Sequence, residues 1–89
     1  MQTWELIASG RVQGVGFRFF VFQLALAHGI FGYAQNLADG TVKIIASGNE
    51  PAIADFCQSV KLGNRHVQVI DLHKMKLDSA EEYHDFKIK

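Results

Sequence analysis

Apolar and polar residues alternate in short segments of the chain, with the period of two that predicts β-strands. In the first of these segments Trp4, Leu6 and Ala8 share one face, and the residues between them share the other. A glycine at position 32 interrupts the second segment, and the fourth could continue toward Met75. The predicted strands cover residues 4–9, 30–37, 41–47, 67–72 and 86–89.

Two segments between the strands repeat their apolar residues at the spacing of an amphipathic helix. The first segment ends before Gly29, which suits the left-handed residue that commonly follows a helix. The second begins around Asn49 to Pro51, where proline is tolerated in a first turn, and continues through Lys61. The predicted core positions are Phe17, Phe20, Val21, Leu24 and Ala27 in the first helix, and Ile53, Phe56, Cys57 and Val60 in the second.

The order of these elements predicts an α+β fold, the ferredoxin-like βαββαβ sandwich with a short C-terminal strand. Asp39-Gly40 is a strong hairpin signal between the second and third strands, which predicts an antiparallel pair. We expect an antiparallel sheet with both helices on one face, and a polar loop over residues 76–82. The length predicts a single domain over residues 1–89.

Amino-acid composition limits the kinds of ligand and cellular environment that we expect for this protein. Nine basic residues balance nine acidic ones, which argues against a nucleic-acid ligand. Cys57 is the only cysteine, so no internal disulfide is possible. The N-terminal residues do not resemble a signal peptide and no apolar run reaches membrane-spanning length, so we expect no membrane contact. We therefore expect a cytoplasmic protein, and we take a monomer as the default oligomeric state.

A glycine-rich segment, Gly10-Arg11-Val12-Gln13-Gly14-Val15-Gly16-Phe17-Arg18, joins the first predicted strand to the first predicted helix. Such a turn directs unpaired backbone N–H groups and the positive end of the helix dipole outward, which favours an anion such as phosphate. Arg18, in or near the first helical turn, can bind two phosphate oxygens. Two alternatives remain, namely a tight connection without a ligand and an Arg18 that is only a solvated charge. The dinucleotide and P-loop motifs are both absent.

Other polar residues carry weaker signals. Asn36 is either a turn residue or, in this fold, an amide beside the bound anion. Cys57 lies in an apolar helical stripe, which favours packing over reactivity, and Asp39 is explained by turn chemistry. The four histidines show no ligand spacing, so we expect no metal. They are His28, His66, His73 and His84.

Residues 10–18 closely resemble the acylphosphatase signature, and Gly32-Tyr33-Ala34-Gln35-Asn36 resembles the second signature of that family. The resemblance covers essentially the whole chain in the right order and spacing. Ala34 departs from it where valine is common, as does Asn64 where proline is usual. Both departures concern structural positions rather than Arg18 or Asn36.

The resemblance implies a small free-standing hydrolase that splits acyl phosphates into a carboxylate and inorganic phosphate, without a metal or cofactor. It assigns phosphate binding to Arg18 and orientation of the attacking water to Asn36. We name residues 13–18 the phosphate loop. Its expected phosphate-binding residues are Gln13, Gly14, Val15, Gly16, Phe17 and Arg18.

Neither an arginine nor an amide can act as general base, so we expect the proton of the water to pass to the substrate's own phosphate. Inorganic phosphate is then both product and competitive ligand. The alternatives are a non-catalytic binding module, an RNA-binding module and a domain like the carbamoyl-phosphate-processing domains of larger hydrogenase-maturation proteins.

Overall fold

The computed structural model describes residues 1–78 and 81–89, and within them the order of strands and helices is the predicted one. Neither helix of this described part is long and apolar enough to cross a membrane. The elements are β1 (Gln2–Arg11), α1 (Phe17–His28), β2 (Phe31–Asn36), β3 (Val42–Gly48), α2 (Glu50–Leu62), β4 (Gln68–Leu77) and β5 (Phe86–Ile88).

The five strands form one sheet in the order β4-β1-β3-β2-β5. β1 is antiparallel to β3 and β4, and β2 is antiparallel to β3. β5 is parallel to β2, so the sheet is mixed, and this short C-terminal strand is the one exception to the predicted antiparallel pairing among the described strands. The parallel pairing of β5 follows from the strand directions, because β4 and β2 run in opposite directions. A chain that turns back after β4 therefore reaches the β2 edge parallel to it.

The core lies between the sheet and the two helices. Leu6 and Ala8 of β1 are buried there with Val42, Ile44 and Ala46 of β3, as the alternation predicts. The four core positions predicted in α2 are also buried. Burying such apolar side chains contributes about 1.5–3 kcal/mol for each large one.

The buried face of α1 differs from the prediction at two positions, because Ala25 was not predicted to be buried and Ala27 was. Phe17, Val21 and Ala25 are buried, whereas Ala27 is exposed. At about 100° per residue, Ala27 lies roughly 80° around the helix from Phe17, on the edge of the apolar face. The face is therefore centred on the i, i+4 row through Phe17 and Val21.

β4 is longer than predicted, because it extends to Leu77 and pairs that residue with Thr3 of β1. The prediction of a loop from residue 76 was therefore wrong for residues 76 and 77. The cause is that β4 is an edge strand with exposed polar residues on both faces, so its sequence does not alternate. Residues 79 and 80 of the predicted loop lie outside the described residues, and 81–85 form no strand or helix.

Candidate active site

The phosphate loop reaches α1 through two glycines in the left-handed region. Gly14 has φ 73° and Gly16 has φ 77°, and Gly16 is the N-cap of the helix. A Cβ at either position would meet no atom within 4 Å, so backbone conformation rather than space requires glycine. The first helical hydrogen bond runs from the Phe20 N–H to the Gly16 carbonyl at 3.0 Å. The N–H groups before Phe20 therefore precede the helical ladder and can bind an anion.

The charge at this end of α1 is positive. The first turn contains no acidic side chain, and Arg18 is its second residue. The helix dipole adds a partial positive charge at the same end. Both contributions favour an anion in front of the loop.

The Arg18 side chain is half-buried and is hydrogen-bonded to Lys89, which is distant in sequence. Its Nη1 donates a hydrogen bond of 2.5 Å to the main-chain oxygen of Lys89. The N–H of Lys89 in turn donates to the Ala34 carbonyl at 2.8 Å, so Lys89 is attached to β2. One arm of the guanidinium is thereby fixed, and no other described residue hydrogen-bonds to its remaining N–H groups, which can therefore bind phosphate.

Asn36 is the last residue of β2, where it pairs with Val42 of β3 and is exposed. Within residues 1–78 and 81–89, no side chain or main-chain group hydrogen-bonds to its amide. The amide can therefore both donate to and accept from a bound molecule.

The structure brings these groups together around one cavity of about 200 Å³. Arg18 and Asn36 both line it, although they come from different elements. The cavity is lined by Gly14, Gly16, Phe17, Arg18, Phe19, Asn36 and Ile88. Asn36, at the end of β2, therefore lies beside the phosphate loop.

Gln13 and Val15, also expected in the phosphate loop, do not line this cavity. The Gln13 Nε2 donates to the carbonyls of Leu37 at 2.8 Å and Thr41 at 2.9 Å. Val15 packs against the core. Gln13 thus connects the loop to the turn that begins one residue after Asn36. Sequence reasoning missed this contact because main-chain acceptors leave no residue-type signal.

The turn between β2 and β3 is stabilised by Asp39. Its Oδ1 accepts hydrogen bonds from the Thr41 hydroxyl at 2.6 Å and the Thr41 N–H at 3.0 Å. These bonds, the hydroxyl first, lower the pKa of Asp39. The structure therefore confirms Asp39 as a turn residue.

The remaining candidates lie away from this cavity. Cys57 is buried in α2, and burial raises the pKa of its thiol while nearby Lys74 partly opposes that effect. The prediction of a packing role for Cys57 is confirmed. In the described part of the chain, no three His, Cys, Asp or Glu side chains are grouped closely enough to hold a metal ion.

The chain is similar to known proteins over nearly its full length. The acylphosphatase family model matches residues 4–88. The acylphosphatase of Caldanaerobacter subterraneus subsp. tengcongensis is 40% identical over 87 residues, which cover 98% of this chain and 97% of that protein. The acylphosphatase of Bacillus subtilis is 40% identical over 88 residues, covering 99% and 97% respectively.

The comparison with solved structures finds the same family as the comparison of sequences. The crystal structure of acylphosphatase from Bacillus subtilis superimposes with a TM-score of 0.95 at 39% identity, covering 100% of this chain and 99% of that chain. Full-length HypF in its phosphate- and nucleotide-bound form superimposes with a TM-score of 0.87 at 31% identity, but only 12% of HypF is covered. From the family model and these full-length relatives, we conclude that the chain belongs to the acylphosphatase family of enzymes.

Proposed function

We propose that this enzyme hydrolyses acyl phosphates without a metal, with Arg18 and the phosphate-loop amides binding the phosphoryl group and Asn36 orienting the attacking water. The observation that carries the proposal is the single cavity lined by Arg18, Asn36, Gly14 and Gly16. This cavity combines an arginine held by a hydrogen bond, a helix N-terminus and an amide to which no described residue hydrogen-bonds.

Arg18 supplies most of the binding energy in this scheme. A full charge about 4 Å from the phosphate contributes roughly 4 kcal/mol at an effective dielectric constant near 20. A helix dipole typically contributes only about 0.3–1 kcal/mol. The glycines of the loop let the backbone amides approach the phosphoryl oxygens, and therefore determine the shape of the site more than its strength.

Asn36 fits the role of holding water because an amide donates, accepts and does not titrate. Among the lining residues that the structure describes, Arg18 is the only titratable one, and arginine stays protonated. We therefore assign no general base to the enzyme. The water oxygen bonds to phosphorus, the bond from phosphorus to the acyl oxygen breaks, and the carboxylate leaves with the electron pair. The proton of the water moves to a phosphoryl oxygen of the substrate.

The same proposal includes a cytoplasmic monomer that releases inorganic phosphate and binds it competitively. Exposed lysines on both edge strands of the sheet support the monomer, because edge lysines oppose pairing between copies. They are Lys74 and Lys76 on β4, Lys87 on β5 and Lys89 directly after it. Light scattering at the assay concentration measures the oligomeric state.

The test of function is hydrolysis of benzoyl phosphate in the presence of EDTA by the wild type, Arg18→Ala and Asn36→Ala. We expect rapid turnover by the wild type and loss of most of it in both variants, with unchanged circular dichroism. A folded wild type that fails to hydrolyse the substrate would overturn the proposal. Turnover that EDTA abolishes would contradict its metal independence.

A further inference from the structure

Two exposed apolar side chains border the candidate active site. Phe19 is 56% exposed and Ile88 is 44% exposed, and both line the same cavity as Arg18 and Asn36. Large apolar side chains with this much exposure inside a ligand cavity are candidates for contact with an apolar part of the ligand.

Phe19 follows Arg18 directly on α1 and is held in place by other aromatic rings. Its ring stacks on Phe22, with centroids 6.1 Å apart and an interplanar angle of 21°. Phe22 in turn lies 6.4 Å from the ring of Phe86 on β5. These contacts hold the Phe19 ring at the cavity that Arg18 also lines, while more than half of its surface stays exposed.

Ile88 lies on β5, far from Arg18 in the sequence, and lines the same cavity. It pairs with Ala34 in the β2–β5 ladder and directly precedes Lys89, whose main-chain oxygen holds the guanidinium. The two apolar side chains are thus neighbours in sequence of Arg18 and of its anchor. We call Phe19 and Ile88 the apolar rim.

We propose that the apolar rim binds the acyl group of the substrate, so that uncharged aromatic or bulky aliphatic acyl phosphates are preferred over small ones. The inference rests on the proposed function, because it needs the phosphoryl group to lie against Arg18. No lining residue other than Arg18 carries a charge among those described. A negatively charged acyl group therefore has no partner of its own, since Arg18 is occupied by phosphate.

The experiment compares kcat/KM for benzoyl phosphate and acetyl phosphate in the wild type, Phe19→Ala, Ile88→Ala and the double variant. Burial of apolar surface favours binding, so removing an apolar side chain that contacts the acyl group lowers kcat/KM for the larger apolar substrate. We expect the benzoyl-to-acetyl ratio to fall several-fold in each single variant and about tenfold in the double variant. Phe19→Leu keeps an apolar side chain and should restore part of the ratio.

Leu26→Ala is the matched control, since Leu26 is 65% exposed on α1 and does not line this cavity. We expect its substrate ratio to equal that of the wild type. The ratio separates acyl contact from an indirect effect, because a displaced Arg18 lowers turnover of both substrates alike.

Equal loss with both substrates, or an unchanged ratio in an active enzyme, would overturn the role of the apolar rim and leave the proposed function intact. A folded wild type that hydrolyses neither substrate would overturn the proposed function, and the inference with it.

Discussion

Arg18 is anchored by Lys89, a residue 71 positions away in the sequence, through a hydrogen bond of 2.5 Å from Nη1 to the Lys89 main-chain oxygen. Lys89 is itself attached to β2 through the Ala34 carbonyl. The orientation of the guanidinium therefore depends on the docking of the last residues against β2. An ordered side chain does not need to be immobilised when the ligand binds, which favours affinity.

Removal of Lys89 tests this anchor. Immobilising a free side chain costs about 0.5–1.5 kcal/mol, so we expect the KM and the phosphate Kd to rise about 2- to 12-fold. Lys89→Ala keeps the main-chain oxygen and is the control, for which we expect unchanged KM and Kd. Equal effects of both changes would assign the role to the Lys89 ammonium group, whose Nζ lies 3.9 Å from the centroid of the Tyr33 ring.

Arg18→Lys keeps the charge of the site but loses the planar pair of donors. Hydrogen bonds to charged groups contribute about 1.5–3 kcal/mol, so we expect kcat/KM to fall about 10- to 150-fold. Steady-state kinetics with benzoyl phosphate measures the change. Arg11→Lys is the control, because Arg11 is exposed at the end of β1 and does not line the cavity. Wild-type kinetics in Arg18→Lys would remove Arg18 from the site.

Asn36→Ala separates water positioning from phosphate binding. We expect kcat to fall about 100-fold, as misplacement of a reacting group typically costs. Calorimetric titration should give an unchanged Kd for inorganic phosphate, because the loop and Arg18 remain. Asn49→Ala serves as the control, since the exposed Asn49 side chain makes no capping hydrogen bond. Loss of phosphate binding in a folded Asn36→Ala would contradict the assignment.

Gln13→Ala removes the two hydrogen bonds that connect the phosphate loop to the turn after Asn36. We expect the free energy of unfolding to fall by about 1–3 kcal/mol and kcat to fall with it. Urea denaturation and steady-state kinetics measure the two effects. Gln23→Ala changes an exposed glutamine of α1 and should alter neither. A destabilised variant with normal kcat would limit Gln13 to a structural role.

The pH dependence of stability tests Asp39. Its pKa in the folded protein is lowered from the ordinary 3.8, because Thr41 hydrogen-bonds to the charged carboxylate. The folded state therefore binds fewer protons, and the stability from this group is present above pH 3.8 and lost as the pH falls through the folded value. We expect the difference in unfolding free energy between wild type and Asp39→Asn to shrink below pH 3.8. A constant difference across this range would show that the charge does not contribute.

The order of elements could be predicted from sequence because each strand and helix has its own periodicity. The order of the edge strands could not, since the pattern of residues 67–77 or 86–89 does not name a pairing partner. The glycine at position 32 weakened the prediction of β2, yet a Cβ there would collide with the Ile45 carbonyl oxygen. The close approach of the β3 backbone therefore explains why a glycine stands within β2, and no pattern of residue types could reveal this approach.

The residues of the candidate site also divide into those that could be predicted from the sequence and those that could not. Arg18 and Asn36 could be predicted because they belong to local signatures. The Gln13 contacts, the Lys89 anchor and the apolar rim could not, because each joins residues that are distant in sequence or uses main-chain atoms. These three features became visible only in the folded structure.

The parallel pairing of β5 with β2 also has a consequence for folding kinetics. Contacts between residues far apart in sequence form slowly, because the chain must close a long loop to make them. Helices and the β2–β3 hairpin rest on local contacts and can form earlier. After dilution from denaturant, we therefore expect far-ultraviolet circular dichroism to recover before hydrolytic activity. Enzymatic turnover would then report when the last strand has docked.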